Sequence, residues 1–166
     1  MRNEILLIAS LFVIYGMVLL WYCLFGKKGL YCWTVLATIA ANIEVMILVD
    51  AFGMEQTLGN ILFASTFLTT DILSEIEGKK SANTAVNVGI LTSLCFIVIS
   101  QSWLLYLPNA NDLAFNGIKT VFSNTPRIML AGLIVYAIVQ KFDVWMYHVW
   151  WKMTENRCGD SKRFLW

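Results

Sequence analysis

The amino-acid sequence predicts an all-α, polytopic transmembrane helical bundle, and three observations carry that prediction. The chain of 166 residues is 58% apolar and only 14% charged, whereas soluble domains average about 45–50% apolar and about 25% charged. A chain this short keeps much of its surface exposed, so one core cannot bury that much apolar material. The apolar residues also gather in runs of about twenty, the length that crosses a hydrocarbon layer about 30 Å thick. A net charge of +1 gives no electrostatic basis for a nucleic-acid-binding surface.

Five membrane helices are expected in one transmembrane domain, 1–166. The first covers 5–25. It is too long for the hydrophobic core of a signal peptide and runs into Gly26-Lys27-Lys28-Gly29 instead of a cleavage site, so it is expected to stay in the mature chain. The second covers 30–51. The third, 60–77, reads NILFASTFLTTDILSEIE between Gly59 and Gly78. It is the most polar of the five, and its polar groups must face protein or water because they cannot be left unsatisfied in lipid. The fourth covers 85–107, and the fifth covers 128–151 despite Lys141, Asp143 and His148.

The segment 108–126, with Asn109, Asn111, Asp112, Asn116 and Asn124, reads as an external loop carrying a short interfacial helix near 113–122. With five crossings, Lys27, Lys28, Lys79, Lys80, Lys152, Arg157, Lys162 and Arg163 share one side, against Arg2, Lys119 and Arg127 on the other. That bias puts the first group in the cytoplasm and the N-terminus outside. Trp and Tyr near the span ends, such as Trp21, Tyr22, Trp103, Trp150 and Trp151, read as interfacial anchors. Cys23, Cys32, Cys95 and Cys158 match neither a disulfide framework nor a zinc spacing.

Ionisable groups inside spans are costly and mark functional sites by default. Asp71 and Glu75, four residues apart, share one helical face with Phe67 and Ser74, and Phe63 lies one turn back. In the last span Tyr136, Gln140, Asp143 and Tyr147 form one stripe, while Lys141 points about 100° away. Asn42 sits near the middle of the second span, and Arg127 opens the fifth after Pro126. Helix-to-helix hydrogen bonding and interfacial solvation are the plain readings of such residues; a solute path is the sharper one. The sequence contains no nucleophile–base pair, phosphate-binding loop or metal-spaced cluster, so no enzyme, cofactor or metal site is expected.

At the short helix the chain resembles the queuosine precursor transporter family, importers of 7-deazaguanine compounds of the vitamin-uptake-like type. The resemblance rests on Phe63, then Thr70-Asp71-Ile72-Leu73-Ser74-Glu75-Ile76, then Gly78-Lys79-Lys80 and Ala82. It extends to Asn42 in the second helix, to Pro126-Arg127, and to Gln140 followed three residues later by Asp143. Two departures stand out: Glu77 replaces a Tyr of the family pattern, and the chain stops at Phe164-Leu165-Trp166, where the family continues into a sixth helix. The chain is therefore expected to lack that last helix.

The resemblance implies an importer in the bacterial cytoplasmic membrane whose substrate site uses Asn42, Phe63, Phe67, Asp71, Glu75, Arg127, Tyr136, Gln140 and Asp143. A guanine-like edge offers a ring N–H beside an exocyclic NH₂, which one carboxylate accepts in bidentate fashion, while amides address the carbonyl and rings stack. The small-molecule substrate and the lipid bilayer are then the expected partners, with no nucleic acid; oligomerisation and an energising partner stay open. The alternatives are a non-transporting scaffold or assembly subunit, and an importer of another small heterocycle.

Overall fold

The computed structural model describes residues 2–109, 112–123 and 125–155. Arg157, Lys162, Arg163 and Cys158 of the tail, and Asn111 and Asn124 of the loop, lie outside the described residues.

Helix α1 (Arg2–Glu44) is a continuous helical stretch broken at Gly26, whose φ of 58° and ψ of −143° no helix accommodates. Glycine carries that conformation without a Cβ clash. The break divides α1 into arms 2–25 and 27–44 and leaves Lys27 and Lys28 at the turn. The first arm exposes Phe12, Leu20 and Leu24, while Val18 is fully buried. A helix satisfies its own backbone, so such a surface is stable where lipid is the solvent.

The second helix does not reach residue 51 as the sequence suggested. It stops at Glu44, and Leu48–Ala51 (β1) pairs antiparallel with Met54–Thr57 (β2), Leu48 opposite Thr57. The cause is the turn: Phe52 at φ 54° and Gly53 at φ 72° are consecutive left-handed residues, the two-residue geometry whose twist matches paired strands. The hairpin is tied to the start of α1 by Asn3 Nδ2, which donates to the Asp50 carbonyl at 3.0 Å, and by Phe52 N–H, which donates to Glu4 Oε1 at 3.3 Å.

Helix α2 (Asn60–Ile76) and helix α3 (Lys79–Trp103) are separated at Gly78, where φ is 84°. The short α4 (Phe115–Phe122) lies where an interfacial helix was expected and starts on Asp112, whose Oδ1 accepts from the N–H groups of Ala114 and Phe115. Phe122 packs with Phe96 and Met129, while Gln101 Nε2 donates to the Phe122 carbonyl at 3.1 Å. The last helix, α5, spans Thr125–Glu155. Helices α1, α3 and α5 are long and apolar enough to cross a membrane. The 17 residues of α2 rise only about 25 Å, less than the hydrocarbon thickness.

The core lies among the 27–44 arm, α2, α3 and α5, around Leu30, Trp33, Ala37, Leu73, Ala82, Val86 and Val144. Small residues set the helix separations, as membrane helix packing requires. A Cβ on Gly59 would come within 2.7 Å of the Ala41 carbonyl, and one on Gly89 would collide with the Tyr136 hydroxyl. Gly132, by contrast, faces open space. Gly89→Val is therefore expected to cost about 1–3 kcal/mol of stability, read as a lower thermal midpoint in detergent, with Gly132→Val nearly neutral.

Candidate functional site

The polarity of α2 is accommodated locally. Ser65, Thr66, Thr69 and Thr70 each donate a hydroxyl hydrogen to a carbonyl one turn earlier, at 2.6–3.0 Å. Their oxygen lone pairs stay free to accept from neighbouring helices. Trp33 Nε1 donates to Ser65 Oγ at 3.0 Å and fastens α2 to α1. On the opposite side, the fully buried Gln140 of α5 donates from Nε2 to Thr66 Oγ1 at 2.8 Å, and Thr70 Oγ1 lies 3.3 Å from Gln140 Oε1.

Helices α2 and α5 run parallel, because partner numbers rise together on both. Phe63 meets Tyr136 with ring centroids 5.6 Å apart. One to two turns further Thr66 and Thr70 meet Gln140. Beyond them Asp143 lies close enough for its charge to act on Asp71. At the end Tyr147 donates a hydrogen bond to Glu75 Oε2. The stripe read from the sequence of α5 therefore faces α2.

This face carries unsatisfied polarity. Among the described residues, the buried atoms without a hydrogen-bond partner are Ser74 Oγ, Tyr136 OH, Asp143 Oδ2 and His148 Nε2. Neither Asp71 nor Asp143 has an ion-pair partner among the described residues. The nearest cation in sequence, Lys141, is held on another side of α5 by Asn87 Oδ1 at 2.7 Å and Asn83 Oδ1 at 3.2 Å. Buried native polar groups are nearly always paired; of these four, Ser74 and Asp143 lie in the lower half of the α2–α5 seam, Tyr136 lies at its upper end and His148 lies outside it. Asp71 and Glu75 are exposed, Asp143 and Phe67 half-buried.

Two expected site residues lie elsewhere. Asn42 is buried between α1 and α3, its Nδ2 donating to the Thr38 carbonyl at 2.8 Å and to Ser93 Oγ at 3.1 Å. Arg127 is exposed in the first turn of α5, about 24 Å along the axis from Asp143. The partners that sequence reasoning did not single out are Thr66, Ser93, Asn83 and Asn87, while Thr70 was named only as part of the family motif. Their signal was present on α2, where Phe63, Thr66, Thr70 and Ser74 form a stripe of helical spacing. No metal-holding group of acids, cysteines and histidines occurs among the described residues.

A family model described as "Putative vitamin uptake transporter" matches residues 57–166, a stretch that takes in α2 and α5. The chain belongs to that family. Its members are transporters, not enzymes. The chain is also 36% identical over 149 residues to the "Probable queuosine precursor transporter" of Bacillus subtilis (strain 168), covering 90% of this chain and 63% of that protein. It thus spans less than two thirds of the relative's length. No solved structure matches the chain.

The seam generates a thermodynamic expectation. Gln140→Leu leaves the acceptor site of Thr66 and the Thr70 hydroxyl without their α5 partner. A double-mutant cycle of Gln140→Leu with Thr66→Val is expected to give a coupling energy of about 0.5–1.5 kcal/mol, measured by reversible unfolding in mixed micelles.

Proposed function

We propose that this protein takes part in importing queuosine precursors, 7-deazaguanine-type bases, across the bacterial cytoplasmic membrane for tRNA queuosine salvage. In this reading it is a multi-pass protein of five crossings with its N-terminus outside. The family and the name of the B. subtilis relative support the substrate class. The observation that carries the reading is that Asp71 and Asp143, on neighbouring parallel helices and within reach of each other's charge, have no ion-pair partner among the described residues. Beside them lies the buried, unpartnered Ser74 hydroxyl.

The substrate edge would meet this lower seam. A carboxylate of Asp71 or Asp143 accepts both the ring N–H and the exocyclic NH₂ in one bidentate contact. A donor-rich neutral base suits a site with an excess of acceptors, because an analogue without those donors leaves a carboxylate unpaired in a dry environment and is rejected. Phe67, on the same face as Asp71, offers a ring for stacking. Glu75 is held by Tyr147, and that pair closes the seam at its cytoplasmic end.

Gln140, fully buried with both ends of its amide engaged, fixes the helix spacing above the site, as the Phe63–Tyr136 ring pair does further up. Asn42 secures the α1–α3 contact behind it. Arg127, in the first turn of α5, belongs at the outer entrance, where a cation can attract the substrate carbonyl or lipid phosphate.

The test is uptake of a labelled 7-deazaguanine precursor by cells lacking both their own importer and their own synthesis of the base. Asp71→Asn and Asp143→Asn are each expected to lower initial uptake at least about tenfold at equal membrane abundance, the loss that follows from one charge-assisted contact of about 1.5–3 kcal/mol. Wild-type uptake by both variants would refute the carboxylate site.

A further inference from the structure

A second polar feature lies outside the α2–α5 seam, at the end of the bundle where the turns carrying Lys27 and Lys79 meet. Lys27 Nζ donates to Glu77 Oε2 at 2.9 Å, and Tyr31 OH donates to the Ser81 carbonyl at 3.4 Å, so the two Gly-Lys-Lys turns are joined there. Beside this junction α3 begins and α5 passes, and between them opens a cleft of about 340 Å³ lined by Lys79, Trp145, His148, Val149 and Lys152. Three of the five lining residues are basic. None of them serves the seam described above.

Lys79 and Lys152 are exposed and have no ion-pair partner among the described residues. The charges of both act on His148. The Nε2 of His148 is buried without a hydrogen-bond partner. The two acids that precede Lys79 on its own side of the bundle are occupied: Glu75 by Tyr147, and Glu77 by Lys27. Helix α3 starts at Gly78 without a side-chain cap, and the Gly78 carbonyl takes up the N–H groups of Ser81 and Ala82. The N–H groups of Lys79 and Lys80 remain at the positive end of the helix dipole. Trp145 and Val149 make the rest of the lining apolar.

We propose that this cleft binds the phosphodiester headgroup of an anionic glycerophospholipid. Two ammonium groups and a ring nitrogen surround one anion, and Trp145, exposed on the outer face of α5, packs along the glycerol and upper acyl chain. Basic pockets between helices on the cytoplasmic side are the membrane form of phosphate recognition. An indole ring is suited to the headgroup level because one edge is apolar and the other donates a hydrogen bond. The bound lipid would bridge α3 and α5 where Lys79 and Lys152 otherwise repel each other.

The test is lipid retention, which does not depend on transport. The full chain is purified in mild detergent, exchanged into micelles containing equal phosphatidylglycerol and phosphatidylethanolamine, and examined by native mass spectrometry. The wild type is expected to retain one phosphatidylglycerol in preference to phosphatidylethanolamine. Lys79→Gln with Lys152→Gln should lower that retention about tenfold or more, two lysines each contributing at the level seen for surface cations. The charge-preserving pair Lys79→Arg with Lys152→Arg should keep it, as should Lys28→Gln with Lys119→Gln outside the cleft. Equal retention of the two lipids, or an equal loss in the two glutamine pairs, would overturn the proposal. Displacement of the lipid by excess inorganic phosphate would assign the cleft to a soluble phosphate and overturn it as well.

Discussion

The hydrogen bonds of Gln140 are the interaction on which the rest of the arrangement depends. An amide buried in a lipid-embedded helix has more donors and acceptors than its own backbone can pair, so it finds partners on another helix. Gln140 finds them at Thr66, which accepts from Nε2 because its hydroxyl hydrogen already goes to its own helix, and at Thr70, whose one hydroxyl hydrogen is shared between the Phe67 carbonyl and Gln140 Oε1. That local solution makes α2 polar enough to accept α5 and still stable in a membrane. It also fixes the rotation of α5, so that Asp143 is turned toward Asp71 instead of lipid.

Around this bridge the packing is set by missing side chains. Gly89 lets the Tyr136 hydroxyl reach the α3 surface, and Gly59 lets α2 begin against the Ala41 carbonyl. Lys141 reinforces the same rotation from the other side, since its ammonium is committed to Asn83 and Asn87 of α3. Two opposed anchors, an amide toward α2 and an ammonium toward α3, hold α5 in one orientation. The acids of the seam are consequently left with each other, Tyr147 and the lone Ser74 hydroxyl, and it is this excess of acceptors that a donor-rich solute complements.

Much of this was legible in the sequence. The long apolar helices, the short polar helix between Gly59 and Gly78, the short helix near 113–122 and the stripe of α5 follow from hydropathy and a 3.6-residue period. The hairpin did not, because Val45 to Val49 is a continuous apolar run whose periodicity cannot separate strand from helix. Only the left-handed pair Phe52-Gly53 decides it, and a phenylalanine there gives little warning. Asn42 illustrates a second limit: a mid-span amide announces a partner, and the sequence does not say which helix provides it. The hydroxyls of α2 were legible as a stripe, yet Thr and Ser in a helix usually bond only to their own backbone, so their second role appears once α5 is in place.

The central claim is that Asp71 and Asp143 face one another across parallel helices. Cross-linking in native membranes tests it most directly, with paired cysteines at Asp71 and Asp143 in a chain whose own cysteines are replaced by serine, treated with a short bifunctional thiol reagent. The account predicts rapid intramolecular cross-linking of this pair, and little for Asp71→Cys paired with Val135→Cys, which lies on the exposed side of α5. Cross-linking through position 135 with none through position 143 would mean that the stripe of α5 is turned away from α2, and would contradict the account.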